Sequence, residues 1–75
     1  MFYIFLADGF EEVEALTPLD LMLRAKIDVK TVGVGGIYVT GSHNITVKAD
    51  ILIDDLDISV CDGVILPGGM PGTTN

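Results

Sequence analysis

The chain has 75 residues, a net charge of -7, 49% hydrophobic residues and 20% charged ones. A domain this short buries only about 60% of the surface its unfolded chain exposes, so it is marginal without disulfides, metals or partners, yet its apolar content speaks against disorder. Arg24, Lys26, Lys30 and Lys48 face eleven acids, a balance that repels phosphate backbones and anionic headgroups and argues against nucleic acid or a membrane surface as partner.

The opening MFYIFLADGFEE has no basic region ahead of its apolar run, and acids follow at once. It is neither a signal peptide nor a span, which needs about 20 apolar residues. Residues 2–7, FYIFLA, are a continuous apolar run of strand length, the pattern of a parallel strand covered on both faces. Asp8 and Gly9 end it. From Glu11 to Ala25 apolar residues recur at roughly helical spacing. Pro18 interrupts them, with Thr17 and Asp20 placed to cap a second segment, so the expectation is a kinked or restarted helix. Residues 27–34, IDVKTVGV, read as a second strand and Gly35-Gly36 as a turn.

YVTGSHNITV reads as a hairpin, with Tyr38 to Thr40 and Ile45 to Val47 joined by a turn over Gly41 to Asn44. The acidic segment 50–60, DILIDDLDISV, reads as irregular or a short helix. Cys61 is the chain's single cysteine, which excludes an internal disulfide and a Cys-based metal site and fits a reducing cytoplasm. At a strand entrance it reads as a small buried hydrophobe. Residues 63–66 form another buried strand, broken by Pro67 and opening into the glycine-rich PGGMPG. Thr73, Thr74 and Asn75 look like caps for a helix that does not follow.

Strand, helix, strand, hairpin, strand and the start of a helix is the order of a doubly wound α/β sheet with parallel strands. In such sheets ligands sit outside the carboxyl ends of the strands, and the loops ADGFEEVE and LPGGMPG leave those ends. Both belong on one rim. Two alternative motifs fail. Gly33-Val34-Gly35-Gly36 precedes a hairpin rather than a helix, so a pyrophosphate would meet no helix N-terminus. The run Asp50 to Asp57 lacks the glycine and terminal glutamate of a calcium loop, and His43 has no second histidine to make a metal pair.

ADGFEEVEALTPLDLMLRA, TVGVGG, TGSHNITVKAD and DGVILPGGMPGTTN, in that order, resemble the N-terminal part of the ThiJ/PfpI superfamily, in the subgroup of the parkinsonism-associated protein deglycase. The resemblance covers essentially all 75 residues and implies that residues 1–75 are part of one flavodoxin-like domain. It implies a reactive cysteine on a strand-to-helix elbow, which these residues do not contain and which is not Cys61. It also implies that Glu14, the last acid of Glu11-Glu12-Val13-Glu14, stands beside that cysteine. Gly69, with Gly68 before it, would supply a backbone N–H to a developing oxyanion. The chemistry is coherent: a nucleophilic thiolate needs a partner that holds it, a protonated carboxyl can donate to it, and glycine lets a backbone donor approach closely.

The activities so implied need no cofactor. They are a glyoxalase or deglycase acting on small 2-oxoaldehydes or on their adducts with proteins, a redox-sensing, chaperone-like stress-response protein, and, third, a protease- or amidase-like hydrolase. The expected partners are the remainder of the same domain, on this or a second polypeptide, an aldehyde or glycated protein, and a second copy in a homodimer. Against this pattern, Lys26 stands where a glycine usually ends the first helix, so that end must be managed differently. His43 stands where relatives often carry arginine. Glu11 and Glu12 read as solvated acids favouring the helix dipole, and Glu14 alone as a residue of chemistry. From spacing by itself Glu14 would be one more surface acid, and Gly68, Gly69 and Gly72 would shape a turn between prolines.

Overall fold

The computed structural model describes residues 1–68. Strand β1 (Phe2–Leu6) leads into helix α1 (Glu12–Arg24) and back to β2 (Val29–Gly33). A hairpin of β3 (Tyr38–Thr40) and β4 (Thr46–Lys48) follows, then β5 (Ile51–Leu52), two 3₁₀ turns, and β6 (Gly63–Ile65). The four parallel strands lie in the order β5-β2-β1-β6, and the hairpin forms a separate antiparallel pair. This is the doubly wound α/β arrangement that the element order implies.

The continuous apolar run at residues 2–7 is explained by position. β1 is an inner strand, paired with β2 from Phe2↔Val29 to Leu6↔Gly33 and with β6 from Phe2↔Gly63 to Ile4↔Ile65. Ile4 and Leu6 are fully buried, in one cluster with Phe10, Ala15, Val29 and Val39. The start of β1 is held to the start of β6 twice over, by the α-ammonium of Met1 on the Asp62 carboxylate and by the Asp62 N–H donating to Met1 O at 2.7 Å.

Two expectations about elements are corrected. Pro18 does not divide the helix, which runs unbroken for thirteen residues. Leu19 and Met22, beyond the proline, pack on the same core as Ala15 before it, and that shared burial outweighs the one hydrogen bond a proline removes. The acidic segment 50–60, expected as irregular or a short helix, does hold short helical turns at Ile53–Asp55 and Ile58–Val60, but it opens on a strand, Ile51 and Leu52 pairing in parallel with Val32 and Gly33. A reciprocal clamp sets this register. Thr31 donates from N–H and Oγ1 to the Asp50 carboxylate at 2.9 and 3.2 Å, and the Asp50 N–H donates to Thr31 Oγ1 at 2.8 Å.

The helix ends on a residue with positive φ, the conformation glycine adopts most readily, and Lys26 itself takes it at φ 59. Ile27 N–H donates to Met22 O at 2.9 Å and Lys26 N–H to Leu23 O at 3.1 Å, the bond pair of a Schellman end.

Candidate active site at the strand-carboxyl rim

The strand order reverses between β1 and β6: from β1 the chain winds outward through β2 to β5, then crosses back to the other side of β1. Ligand crevices of doubly wound sheets open at such a point, outside the carboxyl ends of the strands. Here those ends are followed by residues 7–11 after β1 and by Leu66, Pro67 and Gly68 after β6. Both glycine- and acid-bearing loops therefore do share one rim.

They are joined there through the backbone of a single residue. Gly68 N–H donates to Glu14 Oε1 at 2.8 Å, and Glu11 N–H donates to Gly68 O at 2.9 Å. No side chain caps α1 at Glu11. In a capping box the third helical residue reaches back to the N-cap N–H; here the backbone of Gly68 stands between the two, its C=O accepting from Glu11 and its N–H donating to Glu14. A Cβ at position 68 would lie 2.5 Å from Glu14 Oε1, so a side chain there would displace the Glu14 carboxylate from its present position. Glu14 itself is exposed, and so is Val13 beside it. Gly69, the other residue assigned to this site, lies outside the described residues.

Glu12 differs from its neighbours, and the reading of it as a solvated acid is corrected. It is 4% exposed and lies under the tip of the hairpin. Its carboxylate accepts from His43 N–H at 2.8 Å, from Ile45 N–H at 3.3 Å and from Ser42 Oγ at 3.4 Å, and its Oε1 lies 3.0 Å from His43 Nδ1. Burial alone would push the carboxyl up. The bonds from the His43 side chain and the surrounding backbone N–H groups outweigh it and hold the group at about 2. His43 is correspondingly raised, by its hydrogen bond and charge attraction to Glu12 and more weakly by the charge of Glu11.

The hairpin is fastened to the same loop along its length. Gly9 N–H donates to Thr40 O at 2.8 Å, Ser42 N–H to Phe10 O at 2.8 Å and Thr40 N–H to Asp8 Oδ1 at 3.1 Å. A glycine at 41 gives Glu12 its room, since a Cβ there would fall inside the Glu12 carboxylate. The turn conformation needs its positive φ at Asn44 instead.

Other features of the described residues lie apart from this rim. A cleft of about 490 Å³ between α1, β2 and β4 is lined by Leu16, Leu19 and Val29 together with Lys30 and Lys48. A shallower one of about 350 Å³ runs along the outer face of α1, past Val13 and Leu21 to Ile45. Cys61 is half-buried with its thiol 3.7 Å from Gly63 O, at the opposite end of β6 from Gly68. No helix among the described residues is long and apolar enough to cross a membrane.

A family model described as the DJ-1/PfpI family matches residues 2–75. Protein DJ-1 homolog B of Arabidopsis thaliana is 37% identical over 68 residues, which are 89% of this chain and 16% of that protein. A deglycase of Thermococcus kodakarensis is 35% identical over 63 residues, 84% of this chain and 38% of its own length. Oxidized DJ-1 of Toxoplasma gondii superposes with a TM-score of 0.86 at 32% identity, over 93% of this chain and 39% of that one. The chain thus spans well under half the length of these relatives.

Proposed function

Because the chain belongs to the DJ-1/PfpI family, we propose that it forms part of a cofactor-free, cysteine-dependent glyoxalase or deglycase in which Glu14 is the acid–base group. The cysteine thiolate, supplied from outside these 75 residues, attacks the aldehyde carbon of a 2-oxoaldehyde. The carbon–sulfur bond forms as the carbonyl electron pair moves onto oxygen. Glu14 then delivers a proton to that oxygen, with the N–H of Gly69 steadying the charge as it develops and Gly68 holding the loop in place. The observation that carries this reading is the Gly68 backbone, bonded to both Glu11 and Glu14 at the reversal point of the sheet.

The site works in the cytoplasm, in a homodimer, with aldehydes or glycated proteins as substrates. Val13, 75% exposed, Leu21, 61%, and Ile45, 50%, give α1 and the hairpin an apolar outward surface that suits a second copy.

The test starts with an intact mass of natively purified material under denaturing conditions, to find the polypeptide that carries the elbow cysteine with this segment. That material should consume a 2-oxoaldehyde such as methylglyoxal, and Glu14→Gln should abolish turnover while leaving the circular dichroism spectrum unchanged. Retained turnover in Glu14→Gln removes the acid–base role.

A second reading, a redox sensor, draws on the relative solved in an oxidized state. Under it Glu14 stabilises an oxidised cysteine, so Glu14→Gln would leave aldehyde turnover intact and make peroxide oxidation of that cysteine run past its first stage, visible as added oxygens by mass spectrometry.

A further inference from the structure

We infer that Glu12 is a positioning residue of this site, fixing through the first turn of α1 the direction in which Glu14 is presented. The inference rests on the reading of Glu14 given above and extends it to the hairpin.

Residues two apart on a helix point to opposite faces. Glu12 and Glu14 make this concrete: one carboxylate is buried under residues 41–45, and the other is exposed and bonded to Gly68. The first turn of α1 is thereby gripped from both sides. The grip on the Glu14 side consists of two hydrogen bonds to the backbone of one residue, Gly68. A turn held only there could roll about that residue, carrying the Glu14 carboxylate with it.

The grip on the Glu12 side removes this freedom. The carboxylate collects donors from Ser42, His43 and Ile45, while the hairpin supplying them is tied to Asp8, Gly9 and Phe10 just upstream of the helix. Loop, hairpin tip and helix start form one closed ring of contacts, with the Glu12 carboxylate as its final link. A displacement of roughly 1 Å at a reacting group costs on the order of a hundredfold in rate, so a link that restrains rolling of this turn bears directly on turnover.

The experiment uses the intact protein carrying the elbow cysteine. kcat and KM for methylglyoxal are measured for Glu12→Gln, Gly41→Ala and Glu14→Gln, with each rate divided by the amount of folded protein found by circular dichroism. Gly41→Ala leaves both carboxylates present and displaces only the Glu12 carboxylate. Positioning through Glu12 is expected to lower kcat per folded molecule in both Glu12→Gln and Gly41→Ala by about tenfold to a hundredfold, with KM little changed.

A role confined to stability would lower the melting temperature and the folded fraction, leaving kcat per folded molecule at the wild-type value. That result, together with loss of turnover in Glu14→Gln, overturns the inference and leaves the site reading standing. Turnover retained in Glu14→Gln overturns both. Should Glu12→Gln and Gly41→Ala fail to fold, His43→Ala removes one donor while keeping the backbone ones. It is expected to show a smaller drop in kcat of the same kind, and an unchanged kcat there refutes the inference.

Discussion

Glu12 and His43 titrate in opposite directions, and the stability they confer is bounded on both sides. The Glu12 carboxyl is lowered from its ordinary 4.5 to about 2, so its contribution is complete above 4.5 and is lost as pH falls toward 2. The His43 imidazole is raised above its ordinary 6.5, so its contribution is complete below 6.5 and is lost as pH rises through the raised value. Urea denaturation as a function of pH should therefore show the pair at full strength between about 4.5 and 6.5. Glu12→Gln should flatten both limbs, whereas Asp8→Asn should leave the alkaline limb unchanged. Gly41→Ala forces a methyl group into the Glu12 carboxylate and is expected to destabilise by about 1–3 kcal/mol, the usual range for overpacking, as read from the denaturation midpoint. The sequence could not separate Glu12 from Glu11, because both are acids in a first helical turn. What separates them is a hairpin arriving from thirty residues away, and no local pattern reports that.

At the scale of elements, periodicity located α1, the hairpin and the strands β1, β2 and β6, since each has a local pattern. It missed β5, whose two residues are held by the Asp50–Thr31 clamp rather than by any alternation of their own. The helix end is the reverse case. Lys26 carries a positive φ that glycine adopts without strain, and a side chain there costs roughly 1–2 kcal/mol. Lys26→Gly should return most of this, offset by the greater chain entropy of glycine when unfolded, for a net gain of about 1 kcal/mol in thermal or chemical denaturation. An unchanged midpoint would mean that Lys26 is stabilised at this position by contacts of its own. Pro18 shows how far burial overrides propensity: a breaker in sequence, it sits inside an unbroken helix because both halves face one core.

At the scale of the whole fold, the described residues form a four-stranded parallel sheet whose order, β5-β2-β1-β6, locates the candidate site. The rim where the order reverses was legible beforehand, because two unusual loops both follow apolar strand-length runs. The outward surface of α1 was legible only as a hydrophobic excess. Its geometry places Val13, Leu21 and Ile45 along one shallow cleft, and the double substitution Val13→Glu with Leu21→Glu is expected to convert a dimer into monomers of unchanged circular dichroism, as measured by light scattering. A dimer that persists would put the interface elsewhere. The Gly68 peptide has one more consequence, in the order of biosynthesis. Glu14 and Gly68 are 54 residues apart, which a ribosome covers in about 3 to 10 seconds at ordinary rates of elongation. Throughout that interval the nascent helix has its acids but not the backbone partner that fixes its first turn. The Glu14 carboxylate is thus translated well before the backbone group that sets it.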